Sequence, residues 1–138
     1  MDISPLGLKK AQQLATDEGV KIKTICRDLE AFDMGEGAWD AIVSIFMPIM
    51  PDLRRTVYDK VRQGLKSGGY FVMEMYRPKQ LEYGTGGPPV LEMLINETTI
   101  RDELKDLTYE ILAEKDREIL EGTAHTGKSA VVQLLAKK

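Results

Sequence analysis

Few residues of this chain combine a type and a spacing that chemistry can use. Asp2 stands directly before a helix-start signal, with Ser4 as N-cap and Pro5 at the first helical position. An acid at a strand end that leads into a helix suits the task of holding ribose hydroxyls. Cys26 is the only cysteine and His125 the only histidine. Together they would make a thiolate–imidazole pair for nucleophilic catalysis. Nothing in the sequence brings them together, however, and Cys26 also reads as a small buried cysteine in a strand. His125 is the one side chain whose ordinary pKa suits a general base near neutrality; its plainer reading is a surface histidine in a turn. A lone cysteine forms no internal disulfide, and no Cys/His cluster has metal-ligand spacing.

A second candidate is "GTAHTGKS", Gly122 to Ser129, which satisfies the phosphate-loop pattern G-x-x-x-x-G-K-[ST]. In such loops backbone N–H groups cradle phosphates while the lysine and hydroxyl serve phosphate and magnesium. The context argues against it. A phosphate loop opens a helix, whereas "SAVVQLLAKK" is short and carries the adjacent β-branched residues Val131 and Val132. A hairpin turn with a solvated Lys128 is the expected outcome.

The elements that must position these residues follow from periodicity. Leu8, Ala11, Leu14 and Ala15 recur at helical spacing, and Gly19 supplies a stop. "VKIKTIC", Val20 to Cys26, alternates as a strand does. "DAIVSIF", Asp40 to Phe46, is nearly continuous in apolar residues, as expected where helices cover both faces of a sheet. "PDLRRTVYDKVRQGL" places Leu53, Val57, Val61 and Leu65 on one helical face. "KSGG" turns the chain into "YFVMEMY", another strand. "RPKQLEYGTGGPP" carries three prolines and three glycines, and its length suggests a functional loop. "VLEMLI" is short and apolar, and Thr99 to Asp102 has capping-box spacing for a short helix. "YEILAEKDREIL" and "SAVVQLLA" read as two closing strands with no helix between them, so they should pair antiparallel. The whole predicts one α/β domain over residues 1–138, a mostly parallel sheet ending in an antiparallel hairpin.

Composition excludes several classes. Apolar residues are 43% and charged residues 30% of 138, an ordinary globular mixture. Net charge is −3 with no basic block, so no nucleic-acid footprint is expected. No run approaches a membrane span, and no apolar leader begins the chain. A cytoplasmic protein without structural metal is the simplest expectation.

The ordered set "MDIS…LKKAQQLA", "CRDLEAF", "WDAIVSIF", "GLKSGGYFVMEMY" and the terminal hairpin resembles the class I S-adenosylmethionine-dependent methyltransferases. "RPKQLEYGTGGPP" and "HTG" make it similar to the small bacterial branch related to the tellurite-resistance methyltransferases. The resemblance runs from Asp2 to Lys138 and implies a Rossmann-like sheet. It implies that Asp2, with Ile3, holds the ribose hydroxyls of S-adenosylmethionine. Asp28 and Leu29 would contact adenine by side chain and backbone, and Ser44, Phe46 and Met47 would pass beneath the methionine part. Without the resemblance, Asp2 and Asp28 read as exposed acids and Ile45 as a core strand residue. Tyr76, Tyr83, Gly84, Gly86 and His125 would line an acceptor pocket or its lid, because ligands of parallel sheets bind beyond the carboxyl ends of strands. The chain departs from the family at "MPIMP", where relatives often carry a polar or histidine-containing stretch; Met47 and Met50 there read as packing residues.

Family members also carry an earlier strand and a glycine-rich E/D-x-G-x-G loop before the segment matching Met1. The expectation is therefore an N-terminally truncated domain lacking the first strand and its helix. Its remaining strands either close the gap directly, pair with a second copy as a homodimer through exposed sheet edges, or accept a separate polypeptide. The implied function is methyl transfer to a small-molecule acceptor, provided the missing cofactor half-site is supplied. The alternative is a non-catalytic remnant or partner subunit that does not bind cofactor alone. A tellurium oxyanion, a thiol and an organic hydroxyl are all compatible acceptors.

Overall fold

A computed structural model describes residues 1–120 and 125–138. The chain divides into two compact units, residues 1–33 and residues 34–138.

In residues 1–33 the main element is helix α1, Pro5–Asp17. The Ser4 hydroxyl accepts the Gly7 N–H at 3.0 Å and Pro5 occupies the first turn, as the start signal predicts. Gly19, at φ +67°, closes the helix beyond its cap Glu18. Of the expected apolar face only Ala15 is buried, and Leu14 is exposed. The strand expected over Val20 to Cys26 does not form. Only Cys26 pairs, in a single parallel bridge with Asp2, through Asp2 N–H to the Ile25 carbonyl and Arg27 N–H to the Asp2 carbonyl, each 3.1 Å. Alternation alone did not suffice, because Val20 and Ile22 are exposed. Cys26 is exposed rather than buried, its thiol donating to the Ile3 carbonyl at 3.6 Å.

Residues 34–138 hold a four-stranded sheet. Its strands are β1 (Trp39–Ile45), β2 (Leu65–Tyr76), β3 (Thr108–Leu120) and β4 (Thr126–Lys137), in the order β1-β2-β4-β3. β1 and β2 run parallel, β2 and β4 antiparallel, and β3 and β4 form the expected terminal hairpin. Helix α2 (Pro51–Gly64) connects the parallel pair, and its face of Val57, Tyr58 and Val61 is buried. The Tyr58 ring meets Phe71 edge to face at 5.9 Å, and its hydroxyl donates to the Met73 sulfur at 3.2 Å. Burial pushes the Tyr58 phenol well above its ordinary pKa, so it stays a donor at any working pH.

β1 is not covered on both faces. It lies at the sheet margin, and Val43 and Ile45 are 63% and 52% exposed, so Ile45 is no core residue. Near-continuous apolar sequence could not distinguish this marginal strand from a central one. Residues 78–82 and 91–93 form short 3₁₀ turns. Helix α3 (Glu97–Glu103) is capped three residues earlier than expected, by Asn96, whose Oδ1 accepts the Thr99 N–H at 2.9 Å. Arg54 of α2 reaches Glu103 of α3 through two hydrogen bonds of 2.8 Å and the Glu92 carbonyl at 3.0 Å. Both charged side chains are buried, so this pair joins the two helices at the cost of mutual dependence.

Candidate active site

The topology delivers three rings to one end of the sheet. Phe46 follows the last residue of β1, Tyr76 ends β2, and His125 precedes the first residue of β4. Because β1 and β2 are parallel and β4 opposes them, all three emerge together. Phe46 and Tyr76 stack at 4.4 Å between centroids and 22° between planes; His125 follows at 6.4 Å and 14°. Phe46 adopts φ +46°, a conformation that costs a non-glycine residue about 1–2 kcal/mol. Its N–H is held by the Glu74 carbonyl at 2.9 Å, and the ring packs on the buried cluster of Tyr76, Leu94, Ile119 and Val131. Strain of this kind, fixed by surrounding packing, is characteristic of ligand sites.

These rings open onto a cavity of about 270 Å³ lined also by Pro48, Met75, Gly87, Pro88, Met93 and Leu94. Gly87, at φ +86°, lies so close to Tyr76 that a Cβ would sit 3.0 Å from the ring. Only glycine satisfies both the backbone and the wall. The loop that brings Gly87 here is tied down by Gln80, which is buried with both its amide nitrogen and its amide oxygen engaged. Its Nε2 donates to Thr85 Oγ1 and the Gly86 carbonyl, each 3.0 Å, and its Oε1 accepts the Ala130 N–H at 2.8 Å. A second anchor is Asp116 of β3. It accepts from Lys79 and Tyr83, each 2.7 Å, and from Arg77. These donors, Lys79 foremost, hold the Asp116 carboxyl well below the usual carboxylate range.

The expected site residues separate accordingly. Phe46, Tyr76 and His125 line the cavity. Tyr83 is given over to Asp116, with Lys79 and Lys128 over its ring, and Gly84 turns the loop at φ +62°. Gly86 offers its carbonyl to Gln80. Ser44 donates to the Met47 sulfur at 3.8 Å, and the Met47 N–H to the Met75 sulfur at 3.0 Å. Pro48, Met75, Gly87, Pro88, Met93, Leu94 and the anchor Gln80 were missed. The even spacing of Phe71, Met73 and Met75 signals that Met75 shares the face toward α2. No comparable signal marks Gln80, whose partners are up to fifty positions away.

Within residues 1–33, the bridge sets Asp2 beside Cys26, with Asp28 two residues further on. Each carboxylate spends one oxygen on its own turn. Asp2 Oδ1 accepts the Ser4 N–H and Asp28 Oδ1 the Glu30 N–H, both at 2.7 Å. The second oxygen of each accepts nothing from the described residues, and both side chains are exposed. Ile3 is exposed and Leu29 half-buried. The phosphate-loop pattern fails: Gly122 to Ala124 lie outside the described residues, but Lys128 and Ser129 stand within strand β4, where a helix would be required. Among the described residues no cluster of ligating side chains could hold a metal ion, and no helix is long and apolar enough to cross a membrane.

A parallel pair joined by a helix and a closing antiparallel hairpin make an α/β fold with a cavity at the carboxyl end of the parallel pair. The chain belongs to the methyltransferase family: a model described as "Methyltransferase domain" matches residues 1–69. The fold is shared with TehB from Haemophilus influenzae, at 18% identity and TM-score 0.73, over 99% of this chain and 48% of that one. It is shared with N-methyltransferase NodS from Bradyrhizobium japonicum in complex with S-adenosyl-L-homocysteine, at 19% identity and TM-score 0.65, over 99% and 64%. A S-adenosylmethionine-dependent methyltransferase from Methanosarcina mazei aligns at 17% identity and TM-score 0.71, over 99% and 79%. The chain thus spans about half the length of TehB. No curated protein matches significantly in sequence.

Proposed function

We propose that the chain acts in S-adenosylmethionine-dependent methyl transfer to a small molecule, the cavity bounded by Phe46, Tyr76 and His125 receiving the acceptor. The carrying observation is that cavity, at the carboxyl end of a parallel pair in a chain of this family. The donor set of residues 1–33 fits the cofactor: ribose hydroxyls and an adenine amine are donors, and Asp2 and Asp28 each keep one acceptor oxygen. Ser44, Phe46 and Met47 are the residues proposed for the methionine part. When bound, S-adenosylmethionine would supply an electrophilic methyl group for the acceptor's lone pair. The cavity's share of the work is alignment and exclusion of water. A proton lost by the acceptor passes to His125 or to water.

A second reading has an observation of its own. Asp2 and Asp28 are exposed and already serve their local turns, which suits a chain that keeps the fold without binding cofactor alone. Calorimetric titration of S-adenosylmethionine into the protein separates the two. Saturable heat that weakens about tenfold in Asp28→Asn supports the first reading; no heat at millimolar ligand supports the second.

A further inference from the structure

We propose that the acceptor is a flat, uncharged molecule of one or two fused rings, carrying a hydroxyl or ring nitrogen, and not a hydrated oxyanion. This rests on the reading of the cavity as the acceptor site, and it chooses among acceptors that the sequence leaves open.

Three observations carry it. The first is the wall. Phe46, Met75, Tyr76, Met93, Leu94 and His125 line the space with aromatic, thioether and aliphatic surface, and no carboxylate, lysine or arginine is among the described lining residues. An oxyanion entering here would shed its hydration with only the His125 imidazole and the Tyr76 phenol as side-chain donors among the described lining residues, a trade that buried anions do not survive without paired charge.

The second is the fate of the neighbouring cations. Arg77 is engaged by Glu114 and Asp116, Lys79 by Asp116, and Lys128 stands 5.0 Å over the Tyr83 ring. Arg54, the one buried cation among the described residues, is consumed by Glu103 and the Glu92 carbonyl. The charges that could recognise an anion are thus turned to acids and a ring that hold the loop in place. Asp116, with its three donors, competes directly with any incoming anion.

The third is shape. The three rings lie within 22° of parallel from one to the next, and Gly87 approaches Tyr76 so closely that a Cβ there would press on the ring. Aromatic faces in this arrangement favour a planar guest in offset or edge contact. The two methionine sulfurs add favourable contact with a ring edge. A cavity of about 150 Å³ holds benzene, so about 270 Å³ accommodates a fused pair of rings with a polar substituent toward His125.

The test needs no cofactor. 2-Naphthol is titrated into the full chain and followed by ligand-observed saturation-transfer NMR, with sodium tellurite, at equal and excess concentration, as competitor. The expected result is saturable binding, weakened about tenfold or more by both His125→Ala and Met93→Ala, and unchanged by tellurite. His125 is half-exposed and Met93 sits on a short surface turn, so neither substitution removes a core residue. Displacement by tellurite, or naphthol binding that ignores both substitutions, would overturn the proposal. Naphthol binding at this site in a protein that gives no heat with S-adenosylmethionine would sustain the pocket chemistry and remove only the methyl-transfer reading.

Discussion

The two units of this chain are held together by different means. Every buried apolar residue of the described chain except Ala15 lies in residues 34–138. There a sheet, two helices and a buried ion pair fix the cavity walls from behind. Residues 1–33 rely on one helix, a single β-bridge, the Gln12–Thr24 side-chain hydrogen bond and short turns such as those closed by Asp2 and Asp28. The unit with the proposed acceptor cavity is therefore organised by its own core. The unit with the expected cofactor carboxylates is organised by local hydrogen bonds, which in water contribute about 1 kcal/mol each. Ligand contact has far more to add in the second unit than in the first.

Substitutions can break or sharpen that contrast. The largest effect is expected at Arg54→Met, which strands a buried Glu103 carboxylate; about 3–5 kcal/mol of stability should vanish in urea unfolding. Gln80→Leu comes next, orphaning the Ala130 N–H and the Gly86 carbonyl, for a loss of about 2–4 kcal/mol in the same assay. Gly87→Ala should cost about 1–2 kcal/mol through its φ of +86° while narrowing the cavity, so aromatic ligands should weaken more than stability does.

A pH titration probes the loop anchor. The folded Asp116 carboxyl titrates below its ordinary value of 3.8, because it is stabilised as the anion chiefly by Lys79 and then by Tyr83 and Arg77. Its contribution is complete above the unfolded value and is lost as pH falls from there through the folded value. Amide exchange in residues 77–89 should accelerate as pH drops below about 4, beyond the intrinsic change, and Asp116→Asn should flatten that response. The smallest stability effect is expected at Asp28→Asn, less than about 0.5 kcal/mol, because an exposed amide still caps the turn. A large loss there would erase the distinction between the units.

What the sequence revealed follows the same division. Helices α1 and α2, strands β1 and β2 and the antiparallel hairpin were legible because each carries its own periodicity or cap. The "RPKQLEYGTGGPP" loop announced itself by composition, and Phe46, Tyr76 and His125 meet because topology places three chain ends together. The remaining walls were hidden. Gly87 rather than Gly84 or Gly86 lines the cavity because of its approach to the Tyr76 ring, a tertiary fact. Gln80 lies in a polar loop, and nothing in its local sequence marks it as the partner of the Ala130 N–H. Val20 to Cys26 alternates well enough for a strand, yet pairing needs a partner, and among the described residues only Asp2 supplies one.

Hydrogen–deuterium exchange on the whole chain, with and without saturating S-adenosylmethionine, tests the account most directly. Without ligand, amides of β2 and β4 should be the slowest, and those of residues 20–33 should exchange far faster, with hydrogen-bonded amides such as Arg27 and Glu30 the slower ones there. With ligand, protection should rise at residues 2–4 and 26–30, while β2 and β4 change little. Strong protection of residues 20–33 before any ligand is added, or no response there at saturation, would contradict it.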